Sequence, residues 1–300
     1  MYDIIIVGAG TAGLSAAIYG VRAGKKVLVL ETATYGGQII SSPEVENYPG
    51  IKKISGFEFA TNLYEQASEL GAEIEIAQVT QIRDEGEHKV VVTEEKEYTG
   101  RSVILASGAK NRPLGLENEK ELIGRGISYC ATCDGAFYKG KVVAVAGGGS
   151  TALEDAAFLT GYCEKVYLIH RRDAFRGETK LVENLRKKEN IEFVLDSTIE
   201  KLIAEQTLQA IEVRNVKTKE MKTIQLNGLF IAIGQMPENG AFSPPVELDK
   251  SGYIIAGENC KTNAAGIFAA GDCRTKTVRQ LATAAADGAV AALAACEFIQ

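Results

Sequence analysis

Of the six cysteines in this chain only two, Cys130 and Cys133, are closely spaced. A structural zinc site needs a second pair at similar spacing, and Cys163, Cys260, Cys273 and Cys296 provide none, so these four read as buried or incidental thiols. No basic leader precedes the first apolar run: Met1-Tyr2-Asp3 passes directly into Ile4-Ile5-Ile6-Val7, which reads as a core strand and not as a signal peptide. A secreted disulfide scaffold is therefore not expected. Long uninterrupted apolar runs are missing too. The most apolar late stretch, Leu281 to Cys296, is broken by Asp287 and reads as too short and alanine-rich to span a bilayer. Low-complexity segments are absent, and the formal net charge of −6 argues against nucleic acid or an anionic membrane as partner. The expectation is a soluble, cytoplasmic protein with no resident metal.

What the chain does hold is glycine, 31 residues of it, with 46% hydrophobic residues across a length of 300, enough for two α/β domains of ordinary size. Two glycine-rich turns recur without a gap at an offset of 147 − 8 = 139 residues: Gly8, Gly10, Leu14, Ala17, Lys26 and Val27 return as Gly147, Gly149, Leu153, Ala156, Lys165 and Val166. Each copy reads as a strand (Asp3 to Val7; Lys141 to Ala146), a tight turn, a helix with apolar residues at helical spacing, and a second strand (Val27 to Leu30; Val166 to Ile169). Such a turn lets the backbone approach a pyrophosphate and offers it the unpaired N–H groups of a helix N-terminus. One chain is thus expected to carry two nucleotide-binding βαβ units.

The ends of the two units assign different ligands. The first closes on Glu31, whose carboxylate would accept hydrogen bonds from a ribose 2′-hydroxyl and repel a 2′-phosphate, so this site suits FAD or NAD. The second runs into His170-Arg171-Arg172-Asp173-Ala174-Phe175-Arg176. The forked, permanently charged guanidinium groups of Arg171, Arg172 and Arg176 suit a phosphate dianion, which points to NADP. Shortly before the second turn lies Cys130-Ala131-Thr132-Cys133-Asp134, a dithiol followed at once by a carboxylate, beside a nucleotide site. In a reducing compartment such a pair points to redox chemistry rather than to a structural disulfide.

In combination and order these segments resemble the bacterial-type, low-molecular-weight thioredoxin reductases of the class II pyridine nucleotide-disulfide oxidoreductase family. The likeness runs over essentially the whole chain: Gly8-Ala9-Gly10-Thr11-Ala12-Gly13, Gly36-Gly37-Gln38, Val45-Glu46-Asn47-Tyr48-Pro49-Gly50, Ala106-Ser107-Gly108-Ala109, Cys130 to Asp134, Gly147-Gly148-Gly149-Ser150-Thr151-Ala152, His170-Arg171-Arg172, and Gly266 to Asp272 with Arg279-Gln280. Thr11 and Ser150 stand where many relatives carry Pro and Asn, and both suit the turn. The resemblance implies an α/β fold of two Rossmann-like, three-layer ββα domains. An NADPH-binding domain, residues 112–242, would be inserted into a discontinuous FAD-binding domain, residues 1–111 and 243–300. Lys110 to Glu119 and Pro237 to Pro245, rich in Pro, Gly and Asn, would be the linkers. Along FAD the resemblance places Gly37, Gln38, Asn47, Asp272 and, near the flavin ring, Arg279, Gln280 and Ala282, besides the turn residues. The plain alternative for Asp272 is a cap after Gly271.

The activity so implied passes electrons from NADPH through FAD and the Cys130/Cys133 disulfide to the disulfide of thioredoxin or a thioredoxin-like protein. Asp134 would serve as general acid, which requires a pKa raised by partial burial; otherwise it is a turn residue ahead of Gly135. The family also implies a homodimer and a rotation that presents first the disulfide and then the nicotinamide to the flavin. Only two histidines are present, His88 and His170, neither near the C-terminus, so the His-Glu pair of the larger disulfide reductases is missing; His88 reads as a surface residue. Other readings are a ferredoxin-driven or otherwise specialised disulfide reductase and a flavin/disulfide sensor that does not turn over; the retained nucleotide motifs and the intact dithiol favour the first activity.

Overall fold

The computed structural model describes residues 1–42, 44–177 and 179–300, which divide into two compact units, Met1–Lys110 with Met236–Gln300 and Asn111–Gln235. Along the chain the first unit contributes β1 (Tyr2–Val7), α1 (Thr11–Arg22), β2 (Val27–Glu31), α2 (Gly56–Glu69), β3 (Glu73–Ile76), β4 (Val79–Glu85), β5 (His88–Thr93) and β6 (Glu97–Leu105). The short β7 (Lys110–Asn111) carries the chain across. The second unit then holds β8 (Ile127–Ser128), α3 (Ala131–Asp134), β9 (Val142–Ala146), α4 (Ser150–Leu159), β10 (Lys165–Ile169), α5 (Thr179–Arg186), β11 (Ile191–Val194), β12 (Ser197–Ala204), β13 (Leu208–Asn215), β14 (Met221–Gln225) and β15 (Gly228–Ile231). β16 (Gln235–Met236), paired with β7, brings the chain back to β17 (Ile267–Ala269) and α6 (Leu281–Phe298).

Runs apolar at every position, such as Ile4-Ile5-Ile6-Val7 and Val142-Val143-Ala144-Val145, can be covered on both faces and so become central strands of parallel sheets. In the first unit β1 pairs in parallel with β2 and β6, β3 extends β2, and β17 lies parallel to β6, while β4, β5 and β6 form an antiparallel meander. The second unit repeats the plan, with a parallel sheet ordered β11-β10-β9-β15-β8 and an antiparallel meander of β12, β13 and β14. The two βαβ repeats read from the sequence are thus the centres of two α/β units of matching topology.

Two boundaries differ from expectation. The return crossing lies at Gln235/Met236 and not at residue 242/243, because Asn239 is buried in the first unit, where its Nδ2 donates to Gly252 O and Cys273 O at 2.9 Å each, and Phe242 joins that unit's core. The late apolar stretch continues to Phe298 as an 18-residue helix of mean hydropathy 1.4, long and apolar enough on length and composition to cross a membrane, contrary to the reading of Leu281 to Cys296 as too short. Within the fold it is a core helix that packs on α1. The approach is close: a Cβ built at Gly288 would lie 2.2 Å from Ala12 O and 2.9 Å from Ala16 N.

Replacing a helix-interior glycine by alanine ordinarily gains stability through backbone entropy. At this crossing the clash dominates, and Gly288→Ala is expected to cost about 1–3 kcal/mol, read as a lower denaturant midpoint at unchanged slope. A raised midpoint would contradict the close crossing of α1 and α6.

Candidate active site

Both glycine turns are built by the same contacts. Gly8 N–H donates to Leu30 O at 2.8 Å and Ala106 N–H to Val7 O at 2.8 Å; in the second unit Gly147 N–H donates to Ile169 O at 3.0 Å and Ala232 N–H to Ala146 O at 2.8 Å. Gly8 has φ +107°, and a Cβ there would lie 2.4 Å from Ala106 O; one at Gly147 would lie 2.4 Å from Ala232 O. Next along the chain, Gly10 and Gly149 cap α1 and α4, and a Cβ on either meets no atom within 4 Å. Helix N-termini with clear space before them can receive a phosphate group.

Around the first turn stand most of the residues expected to hold a flavin nucleotide. Thr11, Ala12 and Gly13 form the first turn of α1, and a Cβ at Gly13 would collide with Gly8 O at 1.8 Å. Glu31 ends β2, its Oε2 accepting from Ala9 N–H at 2.7 Å and its Oε1 from Thr32 N–H at 2.8 Å. Gly36 N–H donates to Ala9 O at 2.8 Å, Gly37 approaches Gly10, and the Gln38 amide donates to Ala109 O, which sets Gln38 beside the loop of Ala106 and Gly108 after β6. Asn47 Nδ2 donates to Gln280 Oε1 at 3.3 Å, bringing that loop to the N-cap of α6, where Ala282 sits in the first turn.

Among the described residues of this unit, the polar atoms buried without a hydrogen-bond partner include Asp272 Oδ1 and Arg279 Nε. The Arg279 guanidinium lies 4.4 Å from the Tyr253 ring centre. Burial raises the Asp272 pKa, against the pull of Lys276 and Arg279. Asp272 lies in the 3₁₀ turn Gly271–Cys273. Buried polar atoms without partners are rare in folded proteins and fit a group that receives a polar ligand.

The second turn opens a cleft of about 490 Å³, lined among others by Gly147, Gly149, Thr151, His170, Arg171 and Arg176. Ser150 starts α4 beside them, whereas Arg172, though exposed, is not among the lining residues. Arg176 N–H donates to Gly148 O at 2.8 Å, which folds the arginine segment over the turn. The buried His170 ring fills the space a side chain at Gly148 would need, stacks on Phe175 at 5.4 Å, and leaves Nε2 without a partner. Burial lowers its pKa and the nearby Arg176, Arg171 and Arg172 charges add to this, so the ring is neutral at physiological pH. Arg112 and Ser197 also line the cleft. They come from a loop and the start of a meander strand without motif character, and sequence reasoning passed them over.

Cys130 and Cys133 form a disulfide at the start of α3. This helix follows β8 and the second glycine turn follows β9; both strands lie parallel to β15, so the disulfide and the nucleotide turn share the carboxyl end of one sheet. Cys130 Sγ accepts from Cys133 N–H at 3.2 Å, and the two cysteines are only partly exposed. Asp134 Oδ2 accepts from Ser128 Oγ at 2.6 Å, while Oδ1 is buried without a partner. Desolvation pushes the Asp134 pKa above its ordinary value, opposed by the Ser128 bond. Ser128, two residues before the first cysteine, was not singled out in the sequence; only its position on β8 aims it at Asp134. Cys163, Cys260, Cys273 and Cys296 are buried free thiols, and His88 is exposed.

A carboxyl whose folded pKa exceeds its unfolded value contributes stability below the unfolded pKa and loses it as pH rises through the folded one. Asp134→Asn removes that loss. In the oxidised protein the variant is expected to gain on the wild type as pH rises from about 4 toward neutrality, with the gap closing in acid, measured by denaturant unfolding across pH. A difference independent of pH would contradict the buried-carboxyl account.

Residues 2–289 match the family model for pyridine nucleotide-disulphide oxidoreductases. The chain is 43% identical over 301 residues to a thioredoxin reductase of Treponema pallidum, covering 99% of this chain and 97% of that one, and 40% identical over 307 residues to one of Peptoclostridium acidaminophilum, covering 100% and 98%. The crystal structure of a Streptococcus pyogenes thioredoxin reductase superposes with a TM-score of 0.94 at 37% identity, over 99% of this chain and 98% of that one. With its twin glycine turns, its disulfide and this similarity over nearly its whole length, the chain belongs to the pyridine nucleotide-disulphide oxidoreductase family, within the branch of the low-molecular-weight thioredoxin reductases.

Proposed function

We propose that this protein is an NADPH-dependent thioredoxin-disulfide reductase, with FAD in the first unit and NADPH in the second. The observation that carries the reading is a partly exposed disulfide on the same sheet end as a nucleotide turn, with a half-buried carboxyl of raised pKa next to it in sequence. FAD fits the first unit because the Gly10 turn is clear of side chains while Asp272 Oδ1 and Arg279 Nε are buried without partners. Thr11, Ala12, Gly13, Glu31, Gln38, Asn47, Asp272, Arg279 and Gln280 would hold it. NADPH fits the second because its cleft joins the Gly149 turn to the guanidinium groups of Arg171 and Arg176. The two cofactors, when bound, supply the electron pair that opens the disulfide.

The remaining chemistry belongs to the chain. Opening the Cys130–Cys133 bond with two electrons leaves two thiolates, one of which takes a proton while the other stays as the nucleophile. Asp134, held by Ser128, carries a proton at higher pH than an ordinary aspartate and can deliver it there. In the second half-reaction a thiolate of the dithiol attacks the disulfide of thioredoxin. A mixed disulfide forms, and the other cysteine displaces it, restoring the Cys130–Cys133 bond and releasing reduced thioredoxin with the same two electrons. The reading includes a cytoplasmic homodimer that binds neither nucleic acid nor membrane.

The FAD-loaded protein is expected to consume NADPH steadily only with oxidised thioredoxin or another disulfide present. Cys130→Ser and Cys133→Ser should each abolish thioredoxin reduction while retaining FAD. Undiminished thioredoxin reduction by either variant would overturn the reading. Replacing Arg171 and Arg176 by methionine should weaken NADPH by about tenfold or more and leave NADH almost unchanged, measured as KM for each; equal losses would remove the 2′-phosphate assignment.

A further inference from the structure

The aspartate that interrupts the apolar C-terminal helix has no part in the chemistry above, yet its carboxylate accepts four hydrogen bonds. Asp287 Oδ2 accepts from Gly271 N–H, Arg274 Nε and Lys276 Nζ, each at 2.9 Å, and Oδ1 accepts from Arg274 Nη2 at 2.8 Å. All three charged side chains are almost wholly buried, with 1% of Arg274, 5% of Lys276 and 8% of Asp287 exposed. Arg274 Nη1 also donates to Ala256 O at 3.3 Å and Thr275 O at 3.0 Å. Burial works against the ionised Asp287, but the bonds from Arg274 and Lys276 outweigh it and hold its pKa below the ordinary range.

These bonds all close on one short segment. Gly271, Arg274 and Lys276 bracket Asp272, whose Oδ1 is buried without a partner, and the segment ends at Arg279 and Gln280, where α6 begins. A buried ion pair is weak evidence for stability, because desolvation offsets much of the attraction. Its effect here is geometric: a fork from Arg274 and a backbone N–H from Gly271 fix the segment at two points against the helix that carries Asp287.

We infer that Asp287 is a positioning residue for the flavin, locking the segment Gly271–Gln280 so that Asp272 and Arg279 are already aimed when FAD arrives. The inference rests on the flavoprotein reading of the first unit. Binding then costs little ordering of the loop, and loss of the lock appears as weaker FAD binding and an altered flavin environment, not only as a less stable protein.

The test is titration of the full-length apoprotein with FAD, followed by flavin fluorescence, for wild type, Asp287→Asn and Arg274→Lys. Visible circular dichroism of the bound flavin at saturation is recorded alongside, with NADP⁺ affinity as the control on the other unit. Asp287→Asn is expected to raise the FAD Kd by about tenfold or more and to change the dichroism, with NADP⁺ affinity unchanged. Arg274→Lys keeps the charge but loses the fork, and should give a smaller shift in the same direction. It decides the question should Asp287→Asn not fold. A Kd and flavin spectrum equal to wild type in the folded variants, whatever their loss of stability, would overturn the inference. Wild-type apoprotein that takes up no FAD would overturn the flavoprotein reading and the inference with it.

Discussion

A carbonyl oxygen pressed against a glycine Cα, once in each unit, is the constraint on which the rest of the structure depends. Where Ala106 O faces Gly8 and Ala232 O faces Gly147, no side chain can stand, and the turn must be as tight as the backbone allows. The tightness puts the helix N-terminus at the carboxyl end of the central strand, with Gly10 or Gly149 free of atoms before it. Each parallel sheet then brings its other functional loops to the same end, because parallel strands start their connections on one side. The loop after β6, the segment after β17 and the helix after β8 stand at those ends for this reason.

The polar groups gathered there share a second property. Asp134 and Asp272 are kept above, and His170 below, their ordinary pKa by the same cause, burial, and each has an atom without a hydrogen-bond partner. An uncompensated buried polar group costs stability, and here three such groups stand beside the two nucleotide turns and the disulfide. The cluster around Asp287 is the opposite case, a buried charge with every bond made. The fold thus keeps its satisfied ion cluster against the segment that bears Asp272, while the unsatisfied atoms of Asp134, His170 and Asp272 lie close to the glycine turns and the disulfide.

Much of this was legible in the sequence because it is local. The repeat at fixed offset, the apolar central strands and the spacing of Cys130, Cys133 and Asp134 all lie within short windows, and the strands extend the read spans by no more than a residue at either end in most cases, as for Tyr2–Val7 against Asp3 to Val7. What escaped depends on partners distant in the chain. Pro237 to Pro245 looks like linker by composition, but the bonds from Asn239 to Gly252 and Cys273 draw it into the first unit. Asp287 looked like a break in an apolar run until the segment bearing Arg274 and Lys276 was folded onto it. Arg172 matched the motif as well as its neighbours did, yet Arg171 and Arg176 line the cleft and Arg172 does not.

The central claim, that a flavin and the Cys130–Cys133 disulfide form one electron path fed by NADPH, is tested most directly by anaerobic titration of the purified protein with NADPH while flavin absorbance is followed. The account predicts that complete bleaching consumes about two NADPH per chain, one electron pair for the flavin and one for the disulfide, and about one in Cys130→Ser. A flavin that stays oxidised, or a wild type that bleaches with the same stoichiometry as the serine variant, would contradict it.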